Sequence, residues 1–240
     1  MDERLERVRL MLGAEQVEKL KRAAVLVAGV GGVGSYAAEG LARSGVGRLI
    51  LIDKDTVAPS NLNRQIMAVQ DTIGQGKCEA MKARIESYSG CQVTCVQAFL
   101  DASNLDWIRQ ADFAVDAIDT VTSKLDFVEA CHQYGVPFVC SLGMGNRLDP
   151  SRVRYTDLAR TSGDPLARAV RAMARKRGID YPVPVLFSDE PPVRQNEVVD
   201  PDGKTRKDRI PPASMIFVPA AAGLLAASIA VRTLIQKENA

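Results

Sequence analysis

Residues 23–65 read AAVLVAGVGGVGSYAAEGLARSGVGRLILIDKDTVAPSNLNRQ, and the order of chemical character along this block settles the fold class. An apolar run (25–30) enters a glycine turn, an amphipathic stretch (34–44) follows, and a second apolar run (49–53) ends in acid. Short apolar runs separated by helical periodicity describe strands buried on both faces of a parallel sheet, with helices as crossovers. The alternation continues outward from the block, with strands expected at 93–100, 113–118 and 137–142 and helices at 77–87 and 123–134. The expected architecture is therefore α/β: a Rossmann-like, doubly wound, mostly parallel sheet with helices on both faces. An arginine-rich insert and a C-terminal helix complete it.

Composition sets the outer limits. A chain of 240 residues makes one large domain or one domain with an appendage. With 46% hydrophobic and 25% charged residues it has an ordinary globular balance, which excludes fibrous and disordered classes. A net charge of +2 is too small to imply a polyanionic partner, so any such argument must be local. The N-terminal stretch MDERLERVRLMLG is charged and lacks the apolar core of a signal peptide, so a cytoplasmic location is expected. The five cysteines (Cys78, Cys91, Cys95, Cys131, Cys140) are odd in number and form no CxxC, which argues against a disulfide framework and against zinc. Residues 210–231 carry no charge but include Pro211, Pro212 and Pro219 and are rich in alanine. They read as a buried helix starting near Pro219, with Ala221, Gly223 and Ala226 permitting close helix approach. A membrane span or a peripheral membrane contact is the less favoured reading.

The chemistry begins at the glycine turn. Gly29, Gly31 and Gly34 form GxGxxG directly after a strand and before a helix, a turn that aims backbone N–H groups and a helix N-terminus at a phosphate. Asp53, 19 residues after Gly34, ends the second strand, where a carboxylate accepts hydrogen bonds from ribose hydroxyls. These features alone suit an NAD-dependent oxidoreductase. The SNLNRQ run (60–65) shifts the reading, because it adds an arginine and amides where phosphates extending beyond the ribose would lie. Arg64 offers a planar fork of donors and Lys77 a point charge. Asp119, at the end of another strand, faces a triphosphate usefully only through Mg²⁺. Together they describe a site for ATP. His132 and Cys140 read as packing residues, and no general base stands out.

With these motifs in place, the chain resembles the ubiquitin-activating-enzyme-like superfamily of adenylating enzymes. The resemblance rests on GVGGVGS (29–35), RSGVGRLILIDKD (43–55), SNLNRQ, GQGK (74–77) and DAIDT (116–120), five motifs in order over about the first 145 residues. It implies that Gly32, Asp53, Asn61, Asn63, Arg64, Lys77 and Asp119 contact ATP or its Mg²⁺. The same motifs bring Asp55, Gln65 and Thr120 into the nucleotide site. It further implies a homodimer in which an N-terminal arginine of the second copy, Arg7 or Arg9, reaches the phosphates.

No cysteine follows Cys140, so the paired CxxC zinc motifs of sulfur-carrier activators and the thioester cysteine of ubiquitin activators are both missing. The later sequence, at 141–179 and 185–192, instead resembles the tRNA threonylcarbamoyladenosine dehydratase branch. That resemblance implies activation of the carboxylate of a modified tRNA adenosine, with ring closure and net loss of water. Local charge agrees: Arg152, Arg154, Arg160, Arg168, Arg171, Arg175, Lys176 and Arg177 face only Asp157 and Asp164 between 152 and 177. Arg168, Arg171 and Arg175 fall on one face of an expected helix, a stripe that follows a phosphate backbone. Lys204, Arg206, Lys207 and Arg209 form a second basic cluster on an expected loop. The expected organisation is a single domain: an N-terminal helical arm (1–22), an ATP-binding core (23–150), a basic tRNA-binding segment with arginines 152, 154, 168, 171 and 175 (151–212), and the C-terminal helix (213–240). Rival readings are adenylation of the C-terminal glycine of a ubiquitin-like sulfur carrier, and a nucleotide-dependent scaffold for cysteine-desulfurase and sulfur-acceptor partners. DNA is not an expected partner. The sequence leaves open a monovalent cation, Na⁺ or K⁺, near the GMGN turn (143–146).

Overall fold

The computed structural model describes residues 2–196 and 212–236. The described chain opens with helices α1 (Glu6–Leu12) and α2 (Ala14–Arg22). The expected N-terminal arm is thus two short helices, broken where Gly13 adopts φ +84°. One seven-stranded sheet follows, from β1 (Ala24–Ala28), β2 (Arg48–Ile52), β3 (Gln92–Val96), β4 (Phe113–Asp116), β5 (Phe138–Ser141), β6 (Val153–Asp157) and β7 (Pro184–Ser188). Its order is β3-β2-β1-β4-β5-β7-β6, and every pair is parallel except β6 with β7.

Parallel neighbours need crossovers, supplied by α3 (Gly34–Arg43) after β1, α4 (Lys77–Glu86) after β2 and α5 (Val121–Tyr134) after β4. A 3-10 turn, Leu105–Gln110, serves after β3, and α6 (Pro165–Lys176) joins β6 to β7. β1 is buried along its whole length because both its faces are covered. Val25 and Val27 enter one apolar cluster with α3 and α4, while Leu26 and Ala28 enter the other with α5 and α6.

Helix α7 (Phe217–Gln236) lies on the α3 side of the sheet. It starts two residues before Pro219, which sits in the first turn where a missing N–H costs nothing. Gly223 and Ala226 are buried at the crossing with α3, and a Cβ at Gly223 would come within 2.8 Å of the Tyr36 Cβ. Ala221 is only half-buried. α7 is long and apolar enough to cross a membrane, with a mean hydropathy of 1.8, and half of that stretch is buried against the rest of the chain. The sequence reading missed β6 and β7, and it ran the third strand to residue 100, whereas β3 stops at Val96, where its partner β2 has ended.

Candidate active site

Strand order reverses at β1, which has β2 on one side and β4 on the other. Loops leaving β1 and β4 part to opposite faces there, and a crevice opens outside the carboxyl ends of the strands. A cleft of about 830 Å³ occupies it.

The glycine turn forms its floor. Gly29 has φ +86°, donates its N–H to the Ile52 carbonyl at 2.8 Å, and would place a Cβ 2.7 Å from the Ala117 carbonyl oxygen. Gly34, the first residue of α3, sits so close that a Cβ would overlap the Gly29 carbonyl oxygen. The turn is thereby squeezed between the ends of β2 and β4, while a Cβ on Gly31 would point into open space. Its backbone is left bare toward the cleft, which is the property a phosphate cradle needs.

Charged groups line the walls on this side. Asp53 accepts from Val30 N–H at 2.7 Å and Asp55 N–H at 2.8 Å, so its carboxylate ties β2 to the glycine turn. Lys77, buried at the start of α4, pairs with Asp55 at 2.8 Å. Arg64 lays its stem on Gly32 and donates from Nη1 to the Ser60 carbonyl at 2.8 Å and to Asn63 Oδ1 at 2.9 Å. Among the described residues it has no carboxylate partner. Gln65 is buried, and among the described residues its Oε1 has no partner, an acceptor waiting for a donor. Asn61 accepts from Ala58 N–H at 3.0 Å and so shapes this loop.

Asp119 lines the cleft after β4, with Thr120 beside it heading α5 and donating weakly to its Oδ1 at 3.4 Å. A fully buried pair supports that turn: Lys124 Nζ meets Asp116 Oδ2 at 2.7 Å and donates to the Ser141 carbonyl at 2.8 Å. Asp116 Oδ1 also accepts from Ile118 N–H at 2.9 Å. The ends of β4 and β5 and the start of α5 are thus fixed to one another. A buried charge pair this well satisfied specifies geometry more than it adds stability.

Of the other half of the cleft, the sequence singled out as a site only the GMGN turn (143–146), left open for a monovalent cation. That half is formed by residues 141–147, by Asp164 and the first turn of α6, and by Pro212, Ser214 and Pro219. Asp164 caps α6, its Oδ1 accepting from Leu166 N–H at 2.8 Å, and its Oδ2 accepts from Gly143 N–H at 3.0 Å. The Asp164-Pro165 pair is the N-cap and first-turn signature that could have revealed this helix start. Asn63 does not line the cleft; its Nδ2 donates to the Ser214 carbonyl at 2.9 Å and holds the C-terminal segment over it.

Several expected site residues lie elsewhere. Arg7 is exposed and Arg9 half-buried, and neither lines the cleft of its own chain. Arg152 and Arg154 both pair with Asp189, at 2.7 and 3.1 Å, and the Arg152 hydrogen bond holds the Asp189 carboxyl below its ordinary range. Arg171 turns inward to donate to the Thr161 hydroxyl and carbonyl. Arg168 and Arg175 remain exposed on α6. Arg177 pairs with Asp126 and Glu129, tying α6 to α5. The cluster Lys204, Arg206, Lys207 and Arg209 lies outside the described residues. His132 stacks on Tyr181 away from the cleft. Burial pushes the thiols of Cys78, Cys131 and Cys140 far up and those of Cys91 and Cys95 up to about 12, so none is a thiolate near neutral pH.

The family model described as the ThiF family matches residues 3–240. The chain belongs to the ThiF family. Among its relatives is the tRNA threonylcarbamoyladenosine dehydratase of Bacillus subtilis (strain 168), 41% identical over 235 residues that cover 95% of this chain and 92% of the relative. The corresponding protein of Escherichia coli (strain K12) is 39% identical over 164 residues, 67% of this chain and 61% of its own length. The crystal structure of E. coli tRNA N6-threonylcarbamoyladenosine dehydratase in complex with ATP superimposes with a TM-score of 0.86 at 32% identity, covering 97% of this chain and 93% of that one. The ThiF-family fold thus extends over the whole described chain, β6, β7 and α7 included.

Proposed function

We propose that this chain uses ATP to adenylate the carboxylate of threonylcarbamoyladenosine in tRNA, after which the modified side chain closes on itself with net loss of water. The observation that carries this reading is a single cleft in which a bare glycine turn, Asp53, Gln65, Arg64, Lys77 and Asp119 converge, in a chain matching a dehydratase of that name almost end to end. ATP is a substrate here. The α3 N-terminus and the backbone of Gly31 and Gly32 face its phosphates. Asp53 keeps lone pairs for ribose hydroxyls, the orphan Oε1 of Gln65 accepts a further donor, and Arg64 and Lys77 reach phosphate oxygens. Asp119 is the residue that would hold Mg²⁺, whose charge would offset the repulsion between that carboxylate and the triphosphate.

The steps balance without an enzyme nucleophile. One oxygen of the substrate carboxylate attacks the α-phosphorus, and pyrophosphate leaves. A nucleophilic atom of the same threonylcarbamoyl group then attacks the activated carbonyl, and AMP leaves carrying the former carboxylate oxygen. Positioning and charge stabilisation supply the acceleration, in keeping with five thiols that stay protonated. Arg168 and Arg175, exposed on a helix whose first turn lines the cleft, are offered to the tRNA backbone, with the half-exposed Arg152 and Arg154 adding charge beside Asp189, whereas Arg171 is held inward by Thr161. The active form is a homodimer, with Arg7 or Arg9 reaching the neighbouring cleft, since neither reaches its own.

Purified protein, Mg-ATP and tRNA bearing threonylcarbamoyladenosine should yield pyrophosphate and a nucleoside lighter by one water, read by mass spectrometry. Equal pyrophosphate release with unmodified tRNA would remove the substrate assignment. Release that depends instead on a ubiquitin-like sulfur carrier would select the rival reading.

A further inference from the structure

Arg147 is 4% exposed, lines the cleft, and leaves its Nε and Nη1 without a hydrogen-bond partner among the described residues. A guanidinium carries five donors and no acceptor, and burying one with donors unpaired costs several kcal/mol, so such groups are paired or kept for a ligand. The carboxylate of Asp164, which lines the same cleft, is engaged by the backbone N–H groups of Gly143, Leu166 and Ala167. The placement of Arg147 is imposed by the residue before it. Asn146 adopts φ +57°, donates its N–H to the Ala213 carbonyl at 2.7 Å, accepts from Val193 N–H at 2.8 Å, and accepts from Ala213 N–H on its Oδ1 at 2.9 Å. A backbone pinned in this way fixes the point from which the Arg147 side chain enters the cleft lining.

The surroundings indicate the ligand's chemistry. Leu142, Met144, Leu166 and Ala169 give this half of the cleft an apolar wall, suited to a base or ribose. The acids of the other half, Asp53, Asp55 and Asp119, gather around the nucleotide side with Arg64 and Lys77. Besides Arg64 and Lys77 on the nucleotide side, the cleft therefore carries a further cation, Arg147, available to a second anion.

We propose that Arg147 binds the reacting carboxylate of the modified adenosine. The assignment rests on the adenylation reading above. One carboxylate oxygen accepts from the guanidinium while the other attacks phosphorus, and the arginine offsets the repulsion between two anions brought together. The oxygen held by Arg147 is the carbonyl oxygen of the activated species. When the side chain's own nucleophile adds to that carbonyl, the negative charge grows on this oxygen and AMP departs as it collapses. Arg147 is therefore a catalytic residue for both steps.

The test compares wild type with Arg147→Met by binding of ATP, of unmodified tRNA and of threonylcarbamoylated tRNA. Removing an unpaired buried charge should raise the Tm of the ligand-free protein. The affinity for ATP and for unmodified tRNA should hold, while the preference for modified over unmodified tRNA, about 10- to 100-fold for a charged hydrogen bond, should vanish. A preference that survives in Arg147→Met overturns the proposal. So does equal weakening of both tRNAs, which marks a phosphate contact, or weakened ATP binding, which marks a nucleotide residue. A fall in Tm overturns it as well, since the guanidinium would then be structural. A wild-type protein that shows neither the preference nor pyrophosphate release overturns the adenylation reading itself, and the assignment with it. Should Arg147→Met fail to fold by circular dichroism, Arg147→Lys decides: unchanged ATP affinity with about tenfold weaker modified tRNA supports the proposal, and an unchanged preference overturns it.

Discussion

Gly34 and Arg64 meet the same cleft in opposite ways, one through the absence of a side chain and the other through the reach of one. Adding a methyl at Gly34 forces it onto the Gly29 carbonyl oxygen, a backbone atom that cannot swing away. Gly34→Ala should cost about 1–3 kcal/mol or more of stability and abolish ATP binding, as the turn must open. Arg64→Met removes donors that hold only neutral partners in the free protein. Its Tm should stay near that of wild type and ATP binding should largely hold, while pyrophosphate release falls by about 10²- to 10³-fold. Calorimetric titration beside a pyrophosphate assay separates the two, and an Arg64→Met protein with normal turnover would remove it from the site. The cleft residues near the glycine turn could be read from sequence because they sit in short motifs after strand ends. Arg147 could not, since it is one arginine among many until the fold shows it buried without a partner.

The join between α3 and α4 depends on Glu39, buried on α3. It accepts from Arg43 at 2.7 Å, from Arg84 of α4 at 2.9 Å, and from the Tyr88 hydroxyl at 2.9 Å. Burial alone would raise its carboxyl, but the hydrogen bonds from Arg84, Arg43 and Tyr88 outweigh it and hold the group below its ordinary value of 4.5. A depressed folded value means that this stabilisation is fully present above the unfolded value and is lost as pH falls through the folded one. Glu39→Gln should therefore lower stability at neutral pH by about 1–3 kcal/mol. Its Tm deficit should shrink as pH drops below the carboxylate range. A deficit independent of pH would show that packing, not charge, holds the two helices. These helices and β1 to β5 were legible because the central strands are short apolar runs buried on both faces and the stretches between them carry a helical period. β6 was not: it is an edge strand reading VRYTD, with Arg154 and Tyr155 exposed. β7 was hidden by flanking prolines, and it joins the parallel sheet through only two residue pairs, Cys140 with Val185 and Ser141 with Leu186.

The C-terminal segment folds back over the cleft of its own chain. Asn63 reaches a residue 151 positions away at Ser214, and Pro219 at the head of α7 rests 3.3 Å from where a Gly32 Cβ would stand. No local pattern announces such a return, so α7 could be recognised as a buried helix but not as part of the site's surround. The opposite end behaves differently, since neither arginine of α1 lines the cleft of its own chain. If Arg7 or Arg9 acts, the acting residue must come from a second copy, and that geometry has a kinetic consequence. A chain carrying Arg7→Ala and Arg9→Ala and a chain carrying Arg64→Met should each be inactive alone. When the two are unfolded and refolded together in equal amounts, half of the dimers are mixed, and one cleft in each mixed dimer combines an intact Arg64 with an intact arm. About a quarter of the wild-type activity should return. Mixed dimers, verified by mass spectrometry, that recover no activity would show that the arm serves its own subunit or none. Retained activity in the Arg7→Ala, Arg9→Ala chain by itself would place the phosphate-binding charge wholly within one protomer, on Arg64 and Lys77.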